Sequence, residues 1–130
     1  MGAPIVSTSH AFFRNTTVAS TNYLYLSDSV ASTTEAARAG EVRVSGYNLK
    51  TFQIEVPSME ASCTKVLYRL EGRIEPIATF ASISVASVTA LPAKGSLTTV
   101  TDNVDFIRVG VKKTGAGAAA ISVVSYFGEN

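Results

Sequence analysis

The sequence predicts an all-β protein: an antiparallel β-sandwich, jelly-roll-like, with an extended N-terminal arm. Three observations lead there. The 130 residues are 46% hydrophobic and 16% charged, with 15 serines, 14 threonines and no tryptophan, a mixture that favours strands over helices. Several segments alternate apolar and polar residues at period two. Clusters of Gly, Pro, Asn and Asp interrupt those segments at short intervals. At this length about two-thirds of the unfolded chain's surface can be buried, so one core can hold without disulfides or a structural metal.

Residues 1–40 are read as the arm and first strands, an interaction segment, and residues 41–130 as the sandwich domain. The first region carries only Arg14, Asp28, Glu35 and Arg38 as charged residues, amid Ser, Thr, Ala and apolar groups such as Phe12-Phe13 and Tyr23-Leu24-Tyr25-Leu26. Within it, 33–39 has helical character, with Thr33 or Thr34 as N-cap and Gly40 as stop.

Next, Val42 and Val44 alternate with Glu41 and Arg43. Phe52, Ile54 and Val56 alternate with Thr51, Gln53 and Glu55 until Pro57, which should end that strand because it has no N–H to donate. From 65 to 75 the odd positions are Lys65, Leu67, Arg69, Glu71, Arg73 and Glu75, and the even ones Val66, Tyr68, Leu70, Gly72 and Ile74. That pattern predicts a strand with one wet face and one core face, Tyr68 pointing inward. Gly72 marks a bulge or a close backbone approach, and Ala81, Ile83 and Val85 fall out of phase with Phe80 as such a bulge would allow. From 105 to 113, Ile107, Val109 and Val111 share a face. Thr114-Gly115-Ala116-Gly117 then supplies glycines able to take positive φ, and with the strand 119–127 it predicts a C-terminal hairpin.

Charge and motifs narrow the function. Eleven Lys plus Arg against ten Asp plus Glu give a net charge of +1, too weak a field to hold a phosphate backbone, so no nucleic-acid partner is expected. No apolar run approaches the roughly 20 residues of a membrane helix, and the first residues lack the basic and apolar segments of a secretory signal. A soluble protein made in a cytoplasm is expected. Asn15-Thr16-Thr17 matches a glycosylation triplet, which carries no weight without secretion.

Catalytic patterns are missing. His10 is the sole histidine and Cys63 the sole cysteine, so a zinc site lacks partners and Cys63 reads as a small buried hydrophobe. No Gly-x-Ser-x-Gly elbow occurs, and Gly115-Ala116-Gly117 lacks the Lys-Ser/Thr of a phosphate loop. Glu71 and Glu75 read as members of one solvated strand face, with Arg69 and Arg73 between and beside them in the alternating signs such a face uses for cross-strand pairing; their rival use is a glycosidase acid and base. Asp102, Asn103 and Asp105 read as an Asx-turn; their rival use is a calcium loop, though the glycine and terminal glutamate of the EF-hand pattern are missing. No cofactor, metal or enzymatic activity is expected.

Two strands have apolar residues to spare. In 119–127, Ile121, Val123 and Phe127 lie on one side and Val124 and Tyr126 on the other, and 23–26 is apolar on both sides. The second face must be covered, either by the N-terminal segment of the same chain or by another molecule. The second option makes Phe12, Phe13, Tyr23, Tyr25, Val124 and Tyr126 the candidate protein contacts, with deletion of 1–26 abolishing binding and sparing the sandwich.

The run Val66-Leu67-Tyr68-Arg69-Leu70-Glu71-Gly72-Arg73, followed by Asp105-Phe106-Ile107-Arg108-Val109-Gly110-Val111-Lys112 and the closing Ile121-Ser122-Val123-Val124, resembles small β-sandwich virion proteins of tailed bacteriophages. These are accessory proteins that decorate or cement capsids or sit at the head-tail junction. The likeness spans roughly residues 50–127 and is one of strand texture. A tryptophan-bearing segment often seen after the Glu-Gly-Arg-like strand is replaced here by Ile74-Glu75-Pro76-Ile77.

The resemblance implies a non-enzymatic structural protein of the virion, assembled in the host cytoplasm, that binds the major capsid protein or other virion proteins and copies of itself. It would bridge subunits by burying apolar surface, at about 25 cal/mol per Å². The competing reading is a carbohydrate- or receptor-binding module of a tail or neck, against which the absence of tryptophan counts.

Overall fold

The computed structural model describes residues 7–27, 30–32, 40–77, 79–88 and 93–128. These form β1 (Ser7–Val18), β2 (Leu24–Ser27), β3 (Val30–Ser32), β4 (Val42–Arg43), β5 (Leu49–Met59), β6 (Cys63–Arg73), β7 (Ala81–Val88), β8 (Ala93–Val100), β9 (Phe106–Gly115) and β10 (Ala119–Gly128). One sheet has the order β1-β10-β5-β8 and the other β3-β2-β9-β6-β7, with β4 also pairing β9. All the pairs are antiparallel, and the two sheets make the jelly-roll sandwich that the alternating strands predict. The helical segment expected at 33–39 lies outside the described residues.

The core fills the space between the sheets with the faces that period two assigns. Phe52, Ile54, Ile121, Val123 and Phe127 from one sheet meet Val66, Tyr68, Leu70, Ile107, Val109 and Val111 from the other. Tyr47, Phe127, Phe52 and Phe12 form a string of rings with centroids about 6 Å apart, the spacing favoured by offset and edge-on aromatic pairs. Cys63 is buried as expected.

Three expectations need correction. The C-terminal strands do not form a hairpin: β9 pairs β2, β4 and β6, whereas β10 pairs β1 and β5 in the opposite sheet. Residues 116–118 carry the chain from sheet to sheet, stacked on the matching β5–β6 crossing. Ala116 N–H donates to Ser62 O (3.0 Å), Glu60 N–H to Ala118 O (2.9 Å) and Ala118 N–H to Glu60 Oε1 (2.9 Å). Gly115 does take positive φ, +87°, but serves this packing: a Cβ there would run into Ser62 O.

Pro57 does not end β5. The strand continues to Met59, and Pro57 sits where the pairing with β10 slips between Glu55↔Ser122 and Ser58↔Ala120, a bulge at which a missing N–H is tolerated.

The third correction concerns the arm. Residues 7–18 are a strand of the four-stranded sheet, and a register shift between Ala11 and Phe13 allows adjacent Phe12 and Phe13 both to be wholly buried. A second shift holds Asn15 at φ 45°, which asparagine tolerates, with its N–H donated to Ser122 Oγ at 2.8 Å. Self-cover by the same chain is what these residues provide. Removing 1–26 therefore takes out core, contrary to the expected intact sandwich.

Candidate functional site

The two sheets turn chemically different faces outward. On the sheet containing β6, the face expected to be wet is largely closed over by the protein's own side chains. Strand pairing sets Arg69 opposite Gly110, Glu71 opposite Arg108 and Arg73 opposite Phe106, so the odd positions of β6 meet the even positions of β9. Tyr25 pairs with Gly110 on the other side, and its ring lies across that glycine: a Cβ on Gly110 would stand 2.7 Å from Tyr25 Cε1 and 3.1 Å from Tyr23 Cδ1.

The result is an alternating ladder of cations and rings. Lys112 Nζ lies 4.6 Å from the Tyr23 centroid, and the Arg69 guanidinium carbon 4.0 Å from Tyr23 and 5.9 Å from Tyr25. Arg108 follows at 4.0 Å from Tyr25 and 4.2 Å from Phe80. Arg73 then stands 5.6 Å from Phe80 and 4.0 Å from Phe106, with Arg43 4.9 Å from Phe106 at the end. Such contacts stabilise by about 0.5–2 kcal/mol each, more where water is excluded.

Carboxylates stitch the ladder. Glu71 accepts from Arg108 Nε at 3.0 Å and lies 3.5 Å from Arg69 Nε. Glu41 takes Arg73 in a two-pronged pair at 2.9 and 3.0 Å, which holds that guanidinium above its ordinary range. Arg69 donates Nε and Nη2 to Tyr25 Oη at 3.2 and 2.5 Å. Burial pushes the Tyr25 phenol up. Burial also works against the Arg69 charge, but the Tyr25 hydrogen bond and Glu71 outweigh it and leave the guanidinium raised.

These contacts correct the expected solvated face: Glu71 and Arg73 are buried. Glu71 and Glu75 do not share a strand face either, because β6 ends at Arg73 and Glu75 lies in the exposed turn beyond, 3.5 Å from Arg43. The Asp105 carboxylate is hydrogen-bonded to other segments of the chain. It accepts from Ser45 Oγ at 2.9 Å and from Glu75 N–H at 2.8 Å, and the backbone donor, then the serine, keeps its carboxyl below the usual range. Among the described residues no group of three or more His, Cys, Asp and Glu could hold a metal ion. His10 packs edge-on against Phe12, centroids 4.7 Å apart.

The four-stranded sheet presents the second face. Of the six candidate contacts, Phe12, Phe13 and Tyr25 are buried in this chain and Tyr23 is half-buried in the ladder, so for the three buried ones the contact reading is corrected to self-cover. Val124 and Tyr126 stand together on β10, 44% and 45% exposed. Two shallow clefts of about 220 and 170 Å³ meet there, one lined by Gln53, Glu55, Ser122 and Val124 and the other by Ser9, Thr51, Gln53, Val124, Ser125 and Tyr126. Among the described residues Glu55 is the single charged one lining them.

The ladder was not anticipated from sequence. Its signal was the run of odd positions Arg69, Glu71 and Arg73 on one segment and of even positions Phe106, Arg108 and Lys112 on another, which becomes a contact only once β6 is known to lie beside β9.

No family model matches the chain. No curated protein matches it in sequence. In structure it is similar to Eiger TNF from S. frugiperda, with a TM-score of 0.57 over 96% of this chain and 92% of that one, at 10% identity. That likeness shows the fold, a TNF-like jelly-roll.

Proposed function

We propose that the protein is a non-enzymatic structural protein of a bacteriophage virion, which binds the capsid and further copies of itself through the outer face of its four-stranded sheet. The observation that supports this reading is the exposed pair Val124 and Tyr126 at the junction of two clefts in which Glu55 is the one charged residue among the described lining. Interface centres are depleted in charge and enriched in tyrosine, and short Ser, Thr and Gln side chains around such a centre can exchange hydrogen bonds with a partner. The strand texture of residues 50–127 supplies the phage setting.

Sedimentation velocity of the purified protein from about 1 to 100 µM, a range that brackets weak to moderate interfaces, tests the self-association. A concentration-dependent rise in mass is expected. The double variant Val124→Glu, Tyr126→Lys should weaken it at least about tenfold while keeping the wild-type thermal midpoint, since both side chains already face water in the single chain. A strictly monomeric wild type across that range, or a double variant that associates equally well, would overturn the reading.

A further inference from the structure

The geometry points to a carboxylate-binding site in the cleft between Tyr23, Tyr25, Arg69 and Arg108, with Lys112 at its rim. The site lies on the sheet face opposite the proposed subunit contact, so either can fail without the other.

Charge balance carries the argument. At the far end of the ladder each cation has its own acid: Arg73 has Glu41, and Arg43 has Glu75. At the Tyr23 end, among the described residues, Arg69 and Lys112 share the Tyr23 ring, and the carboxylate beside them, Glu71, already serves Arg69 and Arg108. Among the described residues Lys112 Nζ has the Tyr23 ring and no carboxylate within ion-pair distance. Arg69 directs Nε and Nη2 at Tyr25, leaving Nη1 without a described acceptor. Two cations pressed against one ring repel each other, and an added anion relieves that repulsion while filling the open donors.

The donors are in place before a ligand arrives. Stacking on Tyr23 and Tyr25 and the bonds to Tyr25 Oη hold the Arg69 plane, and Gly110 lets both rings lie against the sheet, so little side-chain freedom is lost on binding. The cleft holds about 210 Å³. That is below the roughly 300–1,000 Å³ of a site enclosing a whole small molecule, so it fits the acidic end of something longer.

A planar carboxylate matches the edge of a stacked guanidinium, the geometry Arg73 already makes with Glu41. Val85, 58% exposed and paired with Arg69 across β6 and β7, offers apolar surface beside the cleft for the stem that carries the acid. The carboxylate could come from a small organic acid or from an Asp or Glu side chain of a protein.

The test is a titration of the ¹⁵N-labelled full chain, following arginine Nε–H resonances, with acetate in one arm and an acetylated, amidated tetraglutamate peptide in the other. Ionic strength is held constant with chloride. Arg69 should shift saturably and Arg43 should not. Saturation by acetate with no tighter binding of the peptide assigns the site to small acids; peptide binding at least about tenfold tighter assigns it to a protein. Lys112→Gln should weaken binding about fivefold. Lys112→Glu, which supplies the missing carboxylate from within, should abolish the titration and raise the thermal midpoint. Non-saturating shifts in both arms, unchanged affinity in Lys112→Gln, or a lower midpoint in Lys112→Glu would overturn the proposal.

Discussion

Lys50 is the most unusual side chain in the core. It is fully buried on β5, with Nζ donating to Tyr47 O at 3.1 Å. Burial pushes its ammonium below the ordinary lysine range, against the pull of Asp102. The sign of the resulting pH dependence follows from which state holds the proton. As pH rises past the lowered folded value, the native chain releases it while the unfolded chain keeps it up to about 10.4, so this lysine makes the fold more stable with rising pH in that interval. Urea denaturation should therefore show wild type gaining on Lys50→Met as pH rises toward the ordinary lysine value of about 10.4. A constant difference would refute this. The position was legible beforehand: Lys50 shares the parity of Phe52, Ile54 and Val56, all buried. The carbonyl that receives it, Tyr47 O, lies only three residues back, but which way the chain turns between them is set by the fold.

Strand β1 illustrates how one extra residue in a ladder redirects side chains. Strict alternation places Phe12 and Phe13 on opposite faces and leaves one over for a partner. The slip against β10 turns both inward. Phe12→Ala should then cost about 3–5 kcal/mol in equilibrium unfolding, the range for truncating a buried aromatic. A cost below about 1 kcal/mol would mean that this ring is not core.

The crossing after β9 makes a second case. Gly115 and Gly46 both have positive φ, +87° and +88°, but a Cβ on Gly46 meets open space whereas one on Gly115 strikes the Ser62 carbonyl. Alanine at 46 should cost about 1 kcal/mol from backbone strain alone, and alanine at 115 at least about 2 kcal/mol, both read by urea denaturation. Equal costs would argue against the stacked crossings.

Among the described residues, one outer face of the sandwich is laced with charge, whereas the clefts on the other are lined by one charged residue, Glu55. If copies meet through the second, their association constant should change less than about threefold between 0.05 and 0.5 M NaCl, because few ions are displaced. A fall of tenfold or more would instead implicate the charged ladder. That asymmetry was partly visible in the chain: residues 41–75 hold ten charges, five of each sign, and residues 119–128 hold none. The burial of Glu71 and Arg73 was not, because parity separates two faces of a strand without saying what lies over either.

Strand positions and the inward residues of β5, β6, β9 and β10 follow from alternation alone, since side chains of a strand project to opposite sides at every step and burial of one side is enough to imprint the pattern. Pairing does not follow. Whether the glycines after β9 close a hairpin or carry the chain to the other sheet depends on hydrogen-bond partners more than fifty residues away, such as Ser62 O and Glu60. The same holds for the arginines, whose odd-numbered spacing reads as solvated until the fold brings Tyr23, Tyr25, Phe80 and Phe106 over them. Local geometry is written residue by residue; neighbours across a sheet are set by long-range register, which exists only in the folded chain.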